Sequence, residues 1–90
     1  MNTATIKSWS FRLDLQDRST LCGLIYGDTG TRFRDGEYIT SSEIIAITDC
    51  GLYKKIETKN TVYKIYPDDI DPEYEKAFSG AYERIKGGKQ

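Results

Sequence analysis

Histidine is absent from this chain of 90 residues, which removes the commonest general base and the commonest zinc ligand. Neither a Ser-His-Asp nor a Cys-His arrangement for nucleophilic catalysis can be assembled without it. Two cysteines, Cys22 and Cys50, are too few for a disulfide framework and lack C-x-x-C spacing. They read as free thiols, although strands can bring distant cysteines together and a pairing stays open. Long apolar runs are missing too. The longest is Ile44–Ile47, far below a membrane span, and Met1–Ser8 is too polar for a secretory leader. Charge of one sign is not in excess either. Thirteen Lys+Arg against fourteen Asp+Glu leave net −1, which argues against non-specific attraction to DNA or to an anionic membrane. Together these absences predict a cytoplasmic protein with no membrane partner, no bound metal, no cofactor and no catalytic activity of its own.

What is present suits one small domain, residues 1–90, with a single modest core. In Trp9, Phe11, Leu13 and Leu15 every apolar side chain falls on an odd position, and the residues between them are polar. That alternation predicts a strand with one face buried. Asp17-Arg18-Ser19 predicts a reversal, and Thr20–Tyr26 a central strand whose Gly23 marks a bulge or a close backbone approach. Asp35-Gly36 predicts a tight turn in a short hairpin between Phe33 and Tyr38-Ile39. Glu43–Thr48, Leu52–Thr58 and Thr61–Tyr66 read as a three-stranded meander, with turns at Asp49-Cys50-Gly51 and Lys59-Asn60.

After Pro67 the periodicity changes. Asp71-Pro72-Glu73 supplies an N-cap acid, proline at the first helical position and a first-turn carboxylate. Tyr74, Ala77, Phe78, Ala81, Tyr82 and Ile85 then recur at three- and four-residue spacing, which predicts one helix over 72–86. Gly80 inside it suggests a close approach of helix to sheet. Met1–Ala4 and Gly87–Gln90 read as frayed ends. The expected fold is α+β, mainly β: five to six antiparallel strands over 6–66, strongly curved or closed into a small SH3-like half-barrel, plus one C-terminal helix. The expected core is Trp9, Phe11, Leu13, Leu21, Leu24, Ile45, Ile47, Ile56, Val62, Ile65, Phe78 and Ile85.

Two features invite a ligand. Gly27-Asp28-Thr29-Gly30-Thr31-Arg32 has backbone donors, hydroxyls and an arginine, and Arg34 follows. Such a loop can cradle a phosphate, although the G-K-[ST] ending of a Walker loop is missing. Because Arg32 and Arg34 alternate around Phe33, both should point away from its ring. The meander is locally basic, with Lys54, Lys55, Lys59 and Lys64 against Glu57 and with Tyr53, Tyr63 and Tyr66 interleaved. Tyrosine and lysine on one strand face can stack on and neutralise a nucleotide or a single-stranded nucleic acid, while lysines also protect sheet edges and tyrosine is an ordinary strand residue. The acidic cluster Asp68, Asp69, Asp71, Glu73 and Glu75 lacks the ligand spacing of a calcium loop and reads as helix-start capping.

Arg32-Phe33-Arg34-Asp35-Gly36-Glu37-Tyr38-Ile39-Thr40-Ser41-Ser42-Glu43-Ile44, followed by Ile56-Glu57-Thr58-Lys59-Asn60-Thr61-Val62-Tyr63, resembles a pattern in short proteins encoded by bacteriophages and prophages. The likeness covers about a third of the chain and includes no catalytic motif. It implies a single-domain, β-rich accessory protein that binds without turnover. Inhibitors of host defence that occupy a protein surface or sequester a nucleotide signal are of this kind. The leading expectation is therefore a non-catalytic protein of the host cytoplasm that binds and neutralises a host protein. The alternatives are a nucleotide- or nucleic-acid-binding small barrel, or a structural or regulatory subunit. The expected binding residues are Arg32, Arg34, Tyr53, Lys54, Lys55 and Tyr63, and self-association as a homodimer is expected from apolar area that one helix would leave uncovered.

Overall fold

In the computed structural model, described over residues 2–85 and the backbone of 88–89, a single mixed sheet is built from β1 (Asn2–Leu13), β2 (Ser19–Tyr26), β3 (Glu37–Thr40), β4 (Ala46–Asp49), β5 (Lys54–Glu57) and β6 (Thr61–Ile65). Their order is β3-β2-β1-β6-β5-β4, and β7 (Gly88–Lys89) lies parallel to β4 at the end. The all-antiparallel expectation is corrected at the centre, where β1 runs parallel to β6 from Asn2↔Thr61 to Thr5↔Lys64. Residues 2–4, expected to fray, supply three of the four β1 positions in that pairing. Polar Asn2 and Thr3 showed no apolar alternation, so their strand was hidden.

The one-sided pattern of β1 breaks at a bulge. Between Lys7 and Ser10 the register against β2 slips, Ser8 takes φ +50°, and the inward parity changes. Ala4 and Ile6 point into the core before the bulge, Trp9 and Phe11 after it. Gly23 lies opposite. A Cβ there would stand 2.5 Å from Ile6 Cγ2 and 2.7 Å from the Lys7 carbonyl oxygen, so the expected close approach is present and excludes any side chain. The turns expected at Asp17-Arg18-Ser19, Asp49-Cys50-Gly51 and Lys59-Asn60 are also found, the first closing between Asp14 and Arg18 and the last between Thr58 and Thr61. In the first, the Asp14 carboxylate accepts from the N–H groups of Gln16 and Arg18. Around Asp35-Gly36 the hairpin partner differs, because β3 pairs with β2 across the whole 27–36 loop rather than with a strand at Phe33.

The core is Ala4, Ile6, Trp9, Leu21, Ile25, Ile39, Ile56, Tyr63 and Ile65. Trp9 is fully buried, packs edge-on against Phe11 and Tyr74, lies tilted against Tyr82, and donates its indole N–H to the Tyr66 carbonyl at 2.7 Å. Phe11, Ile47 and Ile85 pack on this core half-buried, whereas Leu24 and Val62, expected inside, are half-buried on the other side of the sheet, opposite Lys7 and Glu57, because strand parity turns them away from the core. Leu13, Ile45 and Phe78, expected inside, are exposed. Leu13 is the last residue of β1, at the mouth of the Asp14–Arg18 turn. Ile45 precedes β4 rather than lying within a strand from residue 43. Leu52 falls outside β5 and is exposed.

The single helix over 72–86 is likewise corrected, and its last residue lies outside the described residues. A 3-10 turn (Pro67–Asp69) leads to α1 (Pro72–Ala77), capped as expected by the Asp71 carboxylate accepting from the Glu73 N–H, and then to α2 (Ala81–Arg84). Gly80 separates them in the left-handed region at φ +75°, and a Cβ there would meet nothing nearer than 3.9 Å. Its role is to break the helix, not to admit a close approach. The break turns Phe78 outward against Tyr74. None of these helices is long and apolar enough to cross a membrane.

Candidate binding face

Strand parity divides the sheet into two sides with different fates. The inner side carries the core and both helices, and Ile44, Ile70, Tyr74, Tyr82 and Ile85 pack against it. The outer side is read off the register as cross-strand rows. One row runs Tyr26–Thr5–Lys64–Lys55–Thr48, and the next runs Thr3–Val62–Glu57–Ala46. Lys7 and Leu24 are neighbours in a third row, where Leu24 also faces Tyr38. Tyr53 and Tyr66 extend the same parity on β5 and β6, and their rings meet at 5.6 Å, tilted by 42°. Thr3, Lys7 and Ala46 on these rows are exposed and Thr5, Lys55 and Lys64 are half-buried, and at one edge the 27–36 loop exchanges hydrogen bonds with Thr3 through Thr29.

Lysine and tyrosine are interlocked on this side. Lys64 Nζ lies 5.0 Å from the centre of the Tyr53 ring, and Lys7 Nζ lies 5.4 Å from that of Tyr26. Lys55 and Lys64 are direct cross-strand neighbours of like charge, and neither has a carboxylate within ion-pair distance among the described residues. The Cys50 sulfur next to Tyr53 raises that phenol's pKa above its usual value, chiefly through charge and then through a hydrogen bond. Both cysteines are free; Cys22 is buried, with Thr40 Oγ1 at 3.6 Å.

The six residues expected to bind do not converge. Tyr53 and Lys55 lie on the outer face. Lys54 and Tyr63 point the other way and are buried at 3% and 4% exposure. Lys54 Nζ donates to the carbonyls of Tyr82 and Ile85 and lies 4.2 Å from the centre of the Tyr82 ring. Its ammonium pins the end of α2 to the sheet, a favourable place for a cation at a helix C-terminus. Tyr63 is a core residue opposite Ala4.

Arg32 and Arg34 are exposed in the 27–36 loop, but that loop fills its own cradle. The Asp28 carboxylate, only 1% exposed, accepts from the N–H groups of Gly30, Arg32 and Phe33 and from the Arg32 guanidinium at 3.2 Å. Burial resists its ionisation, yet the Arg32 guanidinium and the Gly30 and Arg32 N–H groups outweigh that and hold its pKa below the usual value. The donors a phosphate would need are therefore taken. Nor does Arg32 point away from Phe33: residues 31–36 are not a strand, and the guanidinium lies 5.4 Å from the centre of that ring.

Sequence reading missed Lys7 and Tyr26 as members of the face. Their parity is the signal that could have found them, but the bulge at Ser8 hid it. No family model, curated protein or solved structure matches this chain. The face therefore stands on its own geometry. Elsewhere, an open groove of about 450 Å³ beside Phe11, Ile44, Ile45, Ile47 and Ile85 is lined without a charged side chain. Among the described residues, no group of three or more acidic or thiol side chains is placed to hold a metal ion.

Proposed function

We propose that this is a non-catalytic binding protein that docks on a host protein through the outer face of its sheet, as a phage-type accessory protein working in the host cytoplasm. The observation that carries the reading is a sheet side, opposite the one that bears the core and helices, on which Tyr26, Tyr53 and Tyr66 alternate with Lys7, Lys55 and Lys64. Tyrosine brings large contact area with few rotatable bonds and is enriched among interface anchors. A sheet curved toward a half-barrel fits the same role, and the bulge at Ser8, which increases local twist, supports that shape. The test is capture from host-cell lysate on immobilised protein. Tyr53→Ala with Tyr66→Ala should lower the captured partner more than about tenfold while the fold stays intact. Capture that survives this double change but is lost on Arg32→Ala with Arg34→Ala would move the site to the 27–36 loop.

A second reading, nucleotide or single-stranded nucleic acid on the same face, draws support from the tyrosine–lysine alternation itself. Salt separates the two. A nucleic-acid complex weakens linearly in log–log against salt concentration, and a tyrosine-anchored protein interface responds far less steeply.

A further inference from the structure

We infer that the surface received by the outer face is a compact, carboxylate-rich patch on a protein, and that Lys55 and Lys64 are its charge anchor. The inference rests on the outer face being the docking surface. Lys55 and Lys64 stand directly opposite each other on β5 and β6, where like charges destabilise a sheet. Among the described residues no carboxylate relieves the repulsion: Glu57, on this face, sits in the adjoining row opposite Val62 and Ala46 and reaches neither ammonium. A carboxylate bridging the two ammonium groups removes the repulsion and gains two charge-assisted hydrogen bonds. The partner thus supplies what the fold leaves out.

Two observations favour carboxylates over a polynucleotide. Tyr53 and Tyr26 already carry the ammonium groups of Lys64 and Lys7 on their rings, so stacking a base there would displace a cation the complex needs. The charge is also confined to one small area. The chain as a whole is net −1, and Asp68, Asp69, Asp71, Glu73 and Glu75 crowd the segment leading into and through α1. A strand of phosphates running past Lys7, Lys55 and Lys64 gains little more from a chain of net −1, whereas a patch of two or three carboxylates needs only the lysine pair.

The experiment is fluorescence anisotropy on the full chain with two probes matched in charge: a peptide of alternating glutamate and leucine, and an oligothymidylate. The peptide is expected to bind, to weaken with added salt, and to bind roughly a hundredfold more weakly to Lys55→Glu/Lys64→Glu, as like charges across an interface require. Lys55→Thr/Lys64→Thr, which suits a strand, should show an intermediate loss and guards against misfolding of the reversed variant. The oligothymidylate should bind at least tenfold more weakly than the peptide. Oligothymidylate binding that is tighter than peptide binding and falls on the lysine changes leaves the face as the docking surface but overturns the acidic partner. Peptide binding that ignores both lysine variants and is lost on Arg32→Ala/Arg34→Ala overturns the outer face itself. No peptide binding at low salt overturns the charge anchor.

Discussion

Lys54 and Lys55 are neighbours in the chain with the same charge and opposite fates. Lys54 turns inward, is buried beneath α2 and satisfies two carbonyl groups. Lys55 turns outward, half-buried, to face another lysine. The rest of the sheet divides in the same way. Inward positions of β1, β5 and β6 carry Ile6, Trp9, Ile56, Tyr63 and Ile65, and outward positions carry Thr3, Thr5, Lys7, Lys55, Glu57, Val62 and Lys64, with Tyr53 and Tyr66 just beyond the strand ends. Residue type alone does not separate a structural from a recognising side chain here. The period of two and the element lying above each side do. Stability should therefore follow the inner side and partner binding the outer.

The largest expected effect lies at the centre of the inner side. Trp9→Ala removes the ring that three aromatic neighbours and the Tyr66 carbonyl surround, and it should cost about 3–5 kcal/mol in urea denaturation. A cost under about 1 kcal/mol would place the core elsewhere. Next is the buried cation. Lys54→Met keeps the stem but strands the carbonyls of Tyr82 and Ile85, and should cost roughly 1.5–3 kcal/mol; the matching Lys55→Met should stay within about 0.5 kcal/mol. Equal losses for the two would erase the inner–outer division.

Asp28 tests the loop that fills its own cradle. Asp28→Asn should lower stability by about 1–3 kcal/mol, since a neutral amide oxygen replaces the carboxylate as acceptor. The native carboxyl is held below its ordinary value of 3.8, so its contribution is fully present above pH 3.8 and is lost as pH falls below that. Asp14, lowered chiefly by the Arg18 N–H, acts in the same window. The variant should therefore show a shallower acid limb, and an unchanged limb would remove Asp28 from the account. Phe78→Ala comes lower still, at under about 1 kcal/mol, because more than half of that side chain is exposed.

The predictability of each element from sequence followed how local its cause was. The turns at Asp14–Arg18 and Thr58–Thr61, the Asp71 cap and the close approach at Gly23 each depend on residues adjacent in sequence or on the special freedom of glycine, and each was readable. The parallel pairing of residues 2–5 with 61–64 was not, because it joins segments about sixty positions apart, one of which opens on polar Asn2 and Thr3. The helix failed at one residue: the apolar spacing of Tyr74, Phe78, Ala81 and Ile85 spans Gly80 without interruption, but the backbone there turns left-handed. The candidate site failed through parity. Lys54 and Lys55 cannot both face a ligand on one strand, and the side that bears Lys55 was identifiable only once the helices were placed on the other.

The smallest effect examines the outer side without any partner. Lys64→Thr removes one of two like charges that face each other, so the free protein should gain about 0.2–1 kcal/mol at low salt, the usual scale of a cross-strand pair. Threonine also suits a strand, so the backbone gives no reason for a loss. The gain should fade as salt rises, because the repulsion it relieves crosses solvent and is screened over roughly 10 Å at 0.1 M. Opposing it are the ammonium contact with Tyr53 and the packing of the lysine stem beside Thr5. A salt-independent loss of stability would mean that these contacts outweigh the repulsion, and that Lys64 belongs to the structure rather than to recognition. A gain that disappears in salt, together with weaker peptide capture by the same variant, would show the lysine pair kept at a cost to the fold.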